Sequence, residues 1–267
     1  KNKILSFFPC HKELSRYEEN NISAVRCAGL SMGINFEELN FGEFPGLSRR
    51  NAVLYNSETR TVVEDYAHHP TEINAFLSSR RELLPEHALQ VVFQPHRFSR
   101  TVALAKKFAE ELSLADDLYL LPTYAAFEKF CVNGSVESLM GYLPPRLRKR
   151  ANIYSDFRTL CNSLAKPSSN SIKDQVLFVG AGDLEKWAHA FASWEMANGQ
   201  KLEAFRKYLN GKLSKNTNLI ENEPLGNKTT IGVGGCAKWY AEPANTEDLR
   251  SLVDASILFG VERAMIG

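Results

Sequence analysis

Short apolar runs alternate with amphipathic stretches through the middle of this chain. Leu89-Gln90-Val91-Val92-Phe93, Leu118-Tyr119-Leu120-Leu121 and Val176-Leu177-Phe178-Val179 are too short for buried helices and lack strict alternation. They read as strands covered on both faces, with Asn152–Tyr154 a weaker one. Helical spacing fills the gaps. Pro70 suits a first helical position ahead of Ile73, Phe76, Leu77, Leu83 and Leu84. Thr101–Leu114 carries Leu104, Phe108 and Leu112 four apart, and a short helix is expected over Ser135–Leu143. Phe157, Leu160 and Leu164 mark another helix, and Leu184, Trp187, Phe191 and Trp194 a closing one. Upstream, Ala24, Cys27, Ala28 and Leu30 have helical spacing that Gly33 ends, and Gly42, Pro45 and Gly46 punctuate a loop. Ala52–Tyr55 and Thr61–Val63 flank Asn56-Ser57-Glu58 as a hairpin. The succession predicts an α/β fold, with a mostly parallel, Rossmann-like sheet flanked by helices.

The pattern breaks at 166–173, a surface loop, and again over Lys212–Glu223, rich in Lys, Asn and Ser. Beyond the second break, Thr229–Gly235 and Lys238–Glu242 read as paired strands. A helix starts at Pro243 and Asn245 and runs through Leu249, Leu252, Val253, Ile257 and Leu258, and Arg263–Ile266 reads as a further strand. The whole has 267 residues, 44% hydrophobic and 24% charged, which excludes global disorder. A formal net charge of +1 argues against nucleic acid as the main partner. No apolar run has the length of a membrane span. Five scattered cysteines without a CxxC pattern imply neither a disulfide framework nor a zinc site, and favour a reducing, cytoplasmic setting.

The residues with chemical potential sit where predicted strands end. Glu64-Asp65-Tyr66-Ala67-His68-His69-Pro70-Thr71-Glu72 joins a strand's carboxyl end to a helix start, the edge at which open α/β sheets bind ligands. Its histidines offer positive charge or donors to an anion at the helix amides. Asp65 could accept from a ribose hydroxyl or orient a histidine, but on this motif alone plain capping by Asp65 and Thr71 is the favoured reading, and adjacent histidines with no third ligand do not make a metal site. Gln94-Pro95-His96-Arg97-Phe98-Ser99-Arg100-Thr101 occupies the same edge after the next strand. Arg97 and Arg100 are three apart, so a first helical turn puts them on one face. Two guanidiniums at a helix N-terminus oppose its dipole, which is easier to understand with an anion between them. Any single arginine here reads as solvated; two clusters on consecutive strand ends favour a polyanion site. Gly180-Ala181-Gly182-Asp183 is a tight turn or a close approach to a ligand, and Gly234-Gly235 a bulge or a cofactor-facing turn. The run Pro144–Arg150 reads as a solvated basic loop.

Taken in order, Val63–Glu72, Val92–Thr101, Ala115-Asp116 with Tyr124-Ala125-Ala126, and Gly180–Asp183 resemble the C-terminal domain of the UDP-N-acetylmuramate–L-alanine ligases, within the Mur ligase family of peptidoglycan synthesis. The likeness covers residues 18–197. The recycling ligase that adds a tripeptide to the same sugar nucleotide shares His68-His69-Pro70-Thr71, but the string His96–Thr101 is similar to the alanine-adding enzyme. The resemblance implies ATP and Mg2+, phosphorylation of the lactyl carboxylate of UDP-N-acetylmuramate, and attack of the L-alanine amine on the acyl phosphate. It implies nucleotide-side roles for Asn20, Arg50 and Asp65. Substrate-side roles fall to Tyr66, His68, His96, Arg97, Arg100, Gly182 and Asp183, with His68, Arg97 and Arg100 on carboxylates. No catalytic residue and no metal ligand is assigned within the chain. Glu19, Ser23, Glu64 and Asn51 depart from the family's His, Asn, Asp and Phe.

Pro224-Leu225, Thr229-Thr230, Val233-Gly234-Gly235, Ala237, Glu242-Pro243-Ala244 and Asp248-Leu249 are similar to the start of UDP-N-acetylenolpyruvoylglucosamine reductase. That likeness implies a partial α+β FAD-binding domain using FAD and NADPH, with Gly234 and Gly235 toward the flavin, although Gly232 replaces the family's arginine. The expected division is 1–45, the tail of the ligase's central ATP-binding domain; 46–197, its C-terminal domain; 198–220, helix and linker; and 221–267, the reductase start. The chain then reads as a piece of a bifunctional enzyme, inactive alone and poorly soluble. The alternative is a non-catalytic module that binds a sugar nucleotide or a partner ligase.

Overall fold

A computed structural model describes residues 16–34, 47–166, 168 and 173–266. The stretch at Gly42–Gly46 and most of the 166–173 loop lie outside the described residues. The chain forms two compact units, one of residues 1–155 with 164–188, the other of 156–163 with 189–267.

The first unit opens with helix α1, Arg16–Ser31, which stops before Gly33 in the left-handed region at φ 74°. A six-stranded sheet follows. Strands β1 (Ala52–Asn56) and β2 (Arg60–Asp65) form the expected antiparallel hairpin. Then come α2 (Pro70–Leu83), β3 (Ala88–Phe93), α3 (Phe98–Leu112), β4 (Asp117–Leu120), α4 (Val136–Tyr142), α5 (Pro145–Arg148), β5 (Ala151–Ile153), α6 (Phe157–Leu164), β6 (Asp174–Val179) and α7 (Leu184–Met196), of which α6 up to residue 163 and α7 from residue 189 belong to the second unit. The spatial order is β1-β2-β6-β3-β4-β5, and every pair except β1·β2 is parallel.

Continuous apolar sequence and burial agree: all six residues of β3 and all six of β6 are buried. Ile73, Phe76 and Leu77 of α2, and Phe108, Ala109 and Leu112 of α3, pack with Val63, Leu89, Val91, Phe93, Leu118 and Leu120 into one core. Parallel pairing fixes a consequential register. Asp65 pairs with Val179, Val179 with Phe93, and Phe93 with Leu120, so four strands end on one row. The turns that follow them leave the sheet side by side.

The basic run at 144–150 is solvated as expected, with Arg146, Arg148 and Lys149 exposed, but it is more ordered than a plain loop. Pro145–Arg148 makes one helical turn, Arg148 donates to the Leu143 carbonyl at 2.8 Å and to that of Gly141, and Arg150 pairs with Asp117 at 2.8 Å.

In the second unit, α8 (Lys201–Leu209) is followed by strands β7 (Asn218–Pro224) and β8 (Cys236–Glu242) and helix α9 (Thr246–Phe259). The strand expected over Thr229–Gly235 does not form. The partner of β8 is Asn218–Pro224, inside the stretch read as a break, and 229–235 is turn, with Gly232 at φ 70°. Arg263–Ile266 forms no strand with any described residue. The small core here is Phe259, ringed edge-on by Phe157, Phe205 and Tyr208 at 5.4–6.3 Å. Asp248 secures the start of α9, accepting from the Ser214 and Thr217 hydroxyls and from Asn245.

Candidate functional site

The four flush strand ends place turns 66–69, 180–183, 94–97 and 121–124 in a row, in the order β2, β6, β3, β4. In the first turn, capping and display are divided between neighbouring histidines. His69 is the N-cap of α2, its Nδ1 accepting from the Thr71 amide at 3.3 Å. Glu72 completes the capping box, accepting from the amides of His68 at 3.0 Å and His69 at 3.2 Å. Burial works to raise the Glu72 carboxyl, but those amides and the His68 charge hold it below its ordinary value. Asp65 is spent on backbone, accepting from Asn51 and Ala67 amides at 2.8 Å each. Its carboxyl is pushed up by burial, against the pull of those two amides and of Arg50. The cap is therefore built by His69 and Glu72, with Thr71 contributing its amide.

That leaves the half-buried His68 ring for display, with Glu72 Oε2 3.4 Å from its Nδ1. The same Nδ1 lies 3.0 Å from the Tyr66 carbonyl, which can only accept, so this nitrogen carries the proton. Rings then follow one another along the edge: Tyr66 to His68 at 5.3 Å, His68 to His96 at 6.0 Å, and His96 stacked on Tyr124 at 5.5 Å with planes 15° apart. A parallel bridge between His96 and Tyr124 holds the last pair in place, with the Arg97 amide donating to the Tyr124 carbonyl at 2.8 Å.

Cations line this row. Arg100 Nη1 is 3.5 Å from His96 Nδ1, a long contact in which the imidazole nitrogen must accept. Burial, then the charges of Arg100, His68 and Arg97, push the His96 pKa down from its ordinary value. Arg50 lies over the Tyr66 ring at 5.5 Å and Arg49 at 4.8 Å. Among the described residues, Arg50, Arg97 and Arg100 form no ion pair.

Placement of Arg97 differs from the expectation of a shared first turn with Arg100. It is the N-cap of α3, outside the helix, at φ 71°, and exposed. The helix begins at Phe98 because Phe98 is buried and supplies its first apolar contact. The two guanidiniums are brought to the same neighbourhood all the same, since both charges act on His96.

The glycine turn closes the row from beneath. The Gln94 amide donates to Asp183 at 2.8 Å and its oxygen accepts from the Leu184 amide at 3.2 Å. A Cβ on Gly182 would strike the Gln94 amide oxygen and come within 2.9 Å of Tyr124, so close approach excludes any side chain here. Asp183 is thus bound to Gln94, whereas Gly182 shapes the floor. Asn20 is exposed on α1 and makes no hydrogen bond among the described residues. Gly234 and Gly235 belong to the second unit and are exposed. Among the described residues, no three His, Cys, Asp or Glu side chains converge as a metal site, and no helix is long and apolar enough to cross a membrane.

Three residues that hold the site carry no role in the sequence reading: Arg49, Gln94 and Tyr124. Gln94 had a signal, a polar side chain directly after the apolar run Val91-Val92-Phe93. Tyr124 had one in the quoted Tyr124-Ala125-Ala126; Arg49 had none beyond adjacency to Arg50.

An open parallel sheet with cationic turns on its carboxyl edge is the frame of an anion-binding α/β domain. The family model for the Mur ligase, glutamate ligase domain, matches residues 49–182, half of the chain, and the chain belongs to that family. UDP-N-acetylmuramate–L-alanine ligase of Ligilactobacillus salivarius is 38% identical over 148 residues, covering 55% of this chain and 31% of that protein. The enzyme of the same name from Endomicrobium trichonymphae is 33% identical over 179 residues, 66% of this chain and 38% of that protein. The match therefore spans only 31% and 38% of the length of these two relatives. The crystal structure of UDP-N-acetylmuramate–alanine ligase from Thermotoga maritima superposes with a TM-score of 0.53 at 28% identity, covering 69% of this chain and 39% of that one. A murein peptide ligase from Psychrobacter arcticus, 17% identical with a TM-score of 0.51 over 71% of this chain and 38% of that one, shares the fold.

Proposed function

We propose that this chain supplies the substrate-closing C-terminal part of a UDP-N-acetylmuramate–L-alanine ligase, which joins L-alanine to the sugar nucleotide at the expense of ATP. The observation that carries the reading is the row of Tyr66, His68, His96 and Tyr124 with Arg50, Arg97 and Arg100 lacking carboxylate partners. Glu72 and Glu128 border the row but form no ion pair with these arginines, and the proposed reactants bring further negative charge as triphosphate and carboxylates. Arg50, braced on Tyr66, is suited to the nucleotide phosphates. Asp65 fixes the backbone around Arg50 through the Asn51 amide. Asn20 is retained for the adenine side on its sequence match alone. His68, His96, Arg97 and Arg100 would hold the carboxylates that react, while Gly182 and the Asp183–Gln94 pair shape the floor. The described residues supply no Mg2+ cage; the ion would arrive with the phosphates and take its ligands from outside these turns. Holding the lactyl carboxylate beside the phosphate donor is orientation and charge neutralisation, which this edge performs without a general base.

In this reading residues 1–45 continue a central ATP-binding domain, 46–197 form the C-terminal domain, and 198–220 lead to a reductase start at 221–267. Support for the last is the ordered residue match and the succession of hairpin and helix. Gly235 is exposed, and a Cβ added there would meet nothing within 4 Å, whereas one on Gly234 would come within 3.0 Å of Leu225. The scattered, unpaired Cys27, Cys131, Cys161 and Cys236 suit a cytoplasmic enzyme.

Calorimetry of the 267-residue chain with UDP-N-acetylmuramate tests the ligase reading. Binding is expected, and Arg97→Ala/Arg100→Ala should weaken it at least ~100-fold, as loss of two charge-assisted contacts implies. No heat with the wild-type chain, or equal affinity in the double variant, would falsify the assignment. A tripeptide-adding ligase would instead be revealed by preference for the tripeptide over L-alanine as the co-ligand.

A further inference from the structure

Arg49 and Arg50 are adjacent, and both guanidiniums lie against Tyr66, yet their surroundings differ completely. Arg49 Nε donates to Glu64 Oε1 at 2.8 Å, and the Glu64 side chain is buried in β2. Arg49 Nη2 is shared between the carbonyls of Gly180 and Gly182, at 3.2 Å each. Nη1 lies 3.5 Å from Glu185 at the start of α7. Its own carbonyl accepts from the Tyr66 amide at 2.7 Å. The backbone at Arg49 is left-handed, at φ 61°, a conformation that an L-residue with a long side chain holds only when its surroundings impose it. One side chain thus joins the end of β2, the turn after β2 and the turn after β6.

We infer that Arg49 is the positioning residue of the strand-edge site, fixing the Gly180–Gly182 carbonyls and Tyr66 relative to one another so that Arg50 and His68 face a common anion. The inference rests on the reading of this edge as an anion site, and adds to it a division of labour between the two arginines. A planar fork with five donors is required, because one group must satisfy a carboxylate and two carbonyls at once. Lysine keeps the charge and loses the fork. Arg50 makes none of these hydrogen bonds and keeps its donors for the ligand.

The test uses the full 267-residue chain and two independent readouts. Amide hydrogen exchange reports the turns, and the His68 ring proton shift, titrated with inorganic phosphate, reports the anion site. Arg49→Lys is expected to lower protection at Gly182 and Tyr66 at least tenfold, to move the His68 resonance, and to weaken phosphate about tenfold. Arg50→Lys should leave that protection within twofold and weaken phosphate alone. Because Arg49→Lys leaves Glu64 poorly satisfied and threatens folding, Arg49→Met/Glu64→Gln serves as the second variant. Removing both charges should restore the melting temperature without restoring protection at Gly182. Protection within twofold of wild type in either Arg49 variant, or equal loss in Arg50→Lys, overturns the inference. If protection falls as expected and phosphate binds no form of the protein, the positioning role stands and the anion reading of the edge falls.

Discussion

The two edges of the six-stranded sheet treat arginine in opposite ways. At the amino edge, Arg60 pairs with Asp174 at 3.2 Å, Arg81 with Asp116 at 2.7 Å and Arg150 with Asp117 at 2.8 Å. Each of these guanidiniums has a carboxylate, and Asp174 is buried beneath a partly exposed Arg60. At the carboxyl edge, Arg49 alone is matched in this way, to Glu64. Arg50, Arg97 and Arg100 form no ion pair among the described residues, although Glu72 lies 3.4 Å from His68 and Glu128 is close enough for Arg97 to lower its carboxyl. The same sheet and the same residue type give two outcomes, so the difference is not one of fold stability. Paired arginines knit strands together; those without an ion pair leave a local positive field, which the proposed anion would relieve.

Three experiments bear on that contrast. The largest effect is expected from Arg60→Ala, which leaves the Asp174 charge buried without its partner and should cost ~3–5 kcal/mol in urea unfolding. A loss below ~1 kcal/mol would show that the amino edge is no more cohesive than a surface pair. Next, Arg100→Ala should change stability by less than ~0.5 kcal/mol, since no native ion pair is broken. A loss comparable to that of Arg60→Ala would erase the distinction between the edges.

The smallest effect lies in pH. His96 has its folded-state pKa pushed below the ordinary histidine value by burial and by neighbouring Arg100, His68 and Arg97. The unfolded chain therefore takes up a proton first as pH falls, so His96 lowers stability as pH drops through its ordinary titration range, and is without effect above it. Inorganic phosphate at the edge should reverse the sign of its surroundings and move the His96 titration upward. An NMR titration that phosphate leaves unmoved would show that the anion binds elsewhere or not at all.

Much of this was legible in the residues themselves. Buried parallel strands announce themselves as unbroken apolar runs, so β3, β4 and β6 were found from Leu89–Phe93, Leu118–Leu121 and Val176–Val179 alone. The turns after them followed, because a strand's end locates its turn. Strand β7 was missed for the converse reason: Glu221, Asn222 and Glu223 interrupt it, and none of its residues is fully buried. Its pairing with β8 comes from register across a long connection, which local pattern does not encode. Arg97 was expected on a first helical turn with Arg100, but the helix starts at the buried Phe98 and leaves Arg97 as its N-cap. Arg49 was invisible because its partners lie 15, 131 and 133 residues away in sequence.

The flush termination of β2, β6, β3 and β4 has a wider consequence. When neighbouring strands stop at the same level, each crossover emerges like a separate socket on a common board. A residue gained or lost in one of them re-aims one side chain and leaves the load carried by the layers below untouched. Such a platform can change what it grips without relearning how to fold.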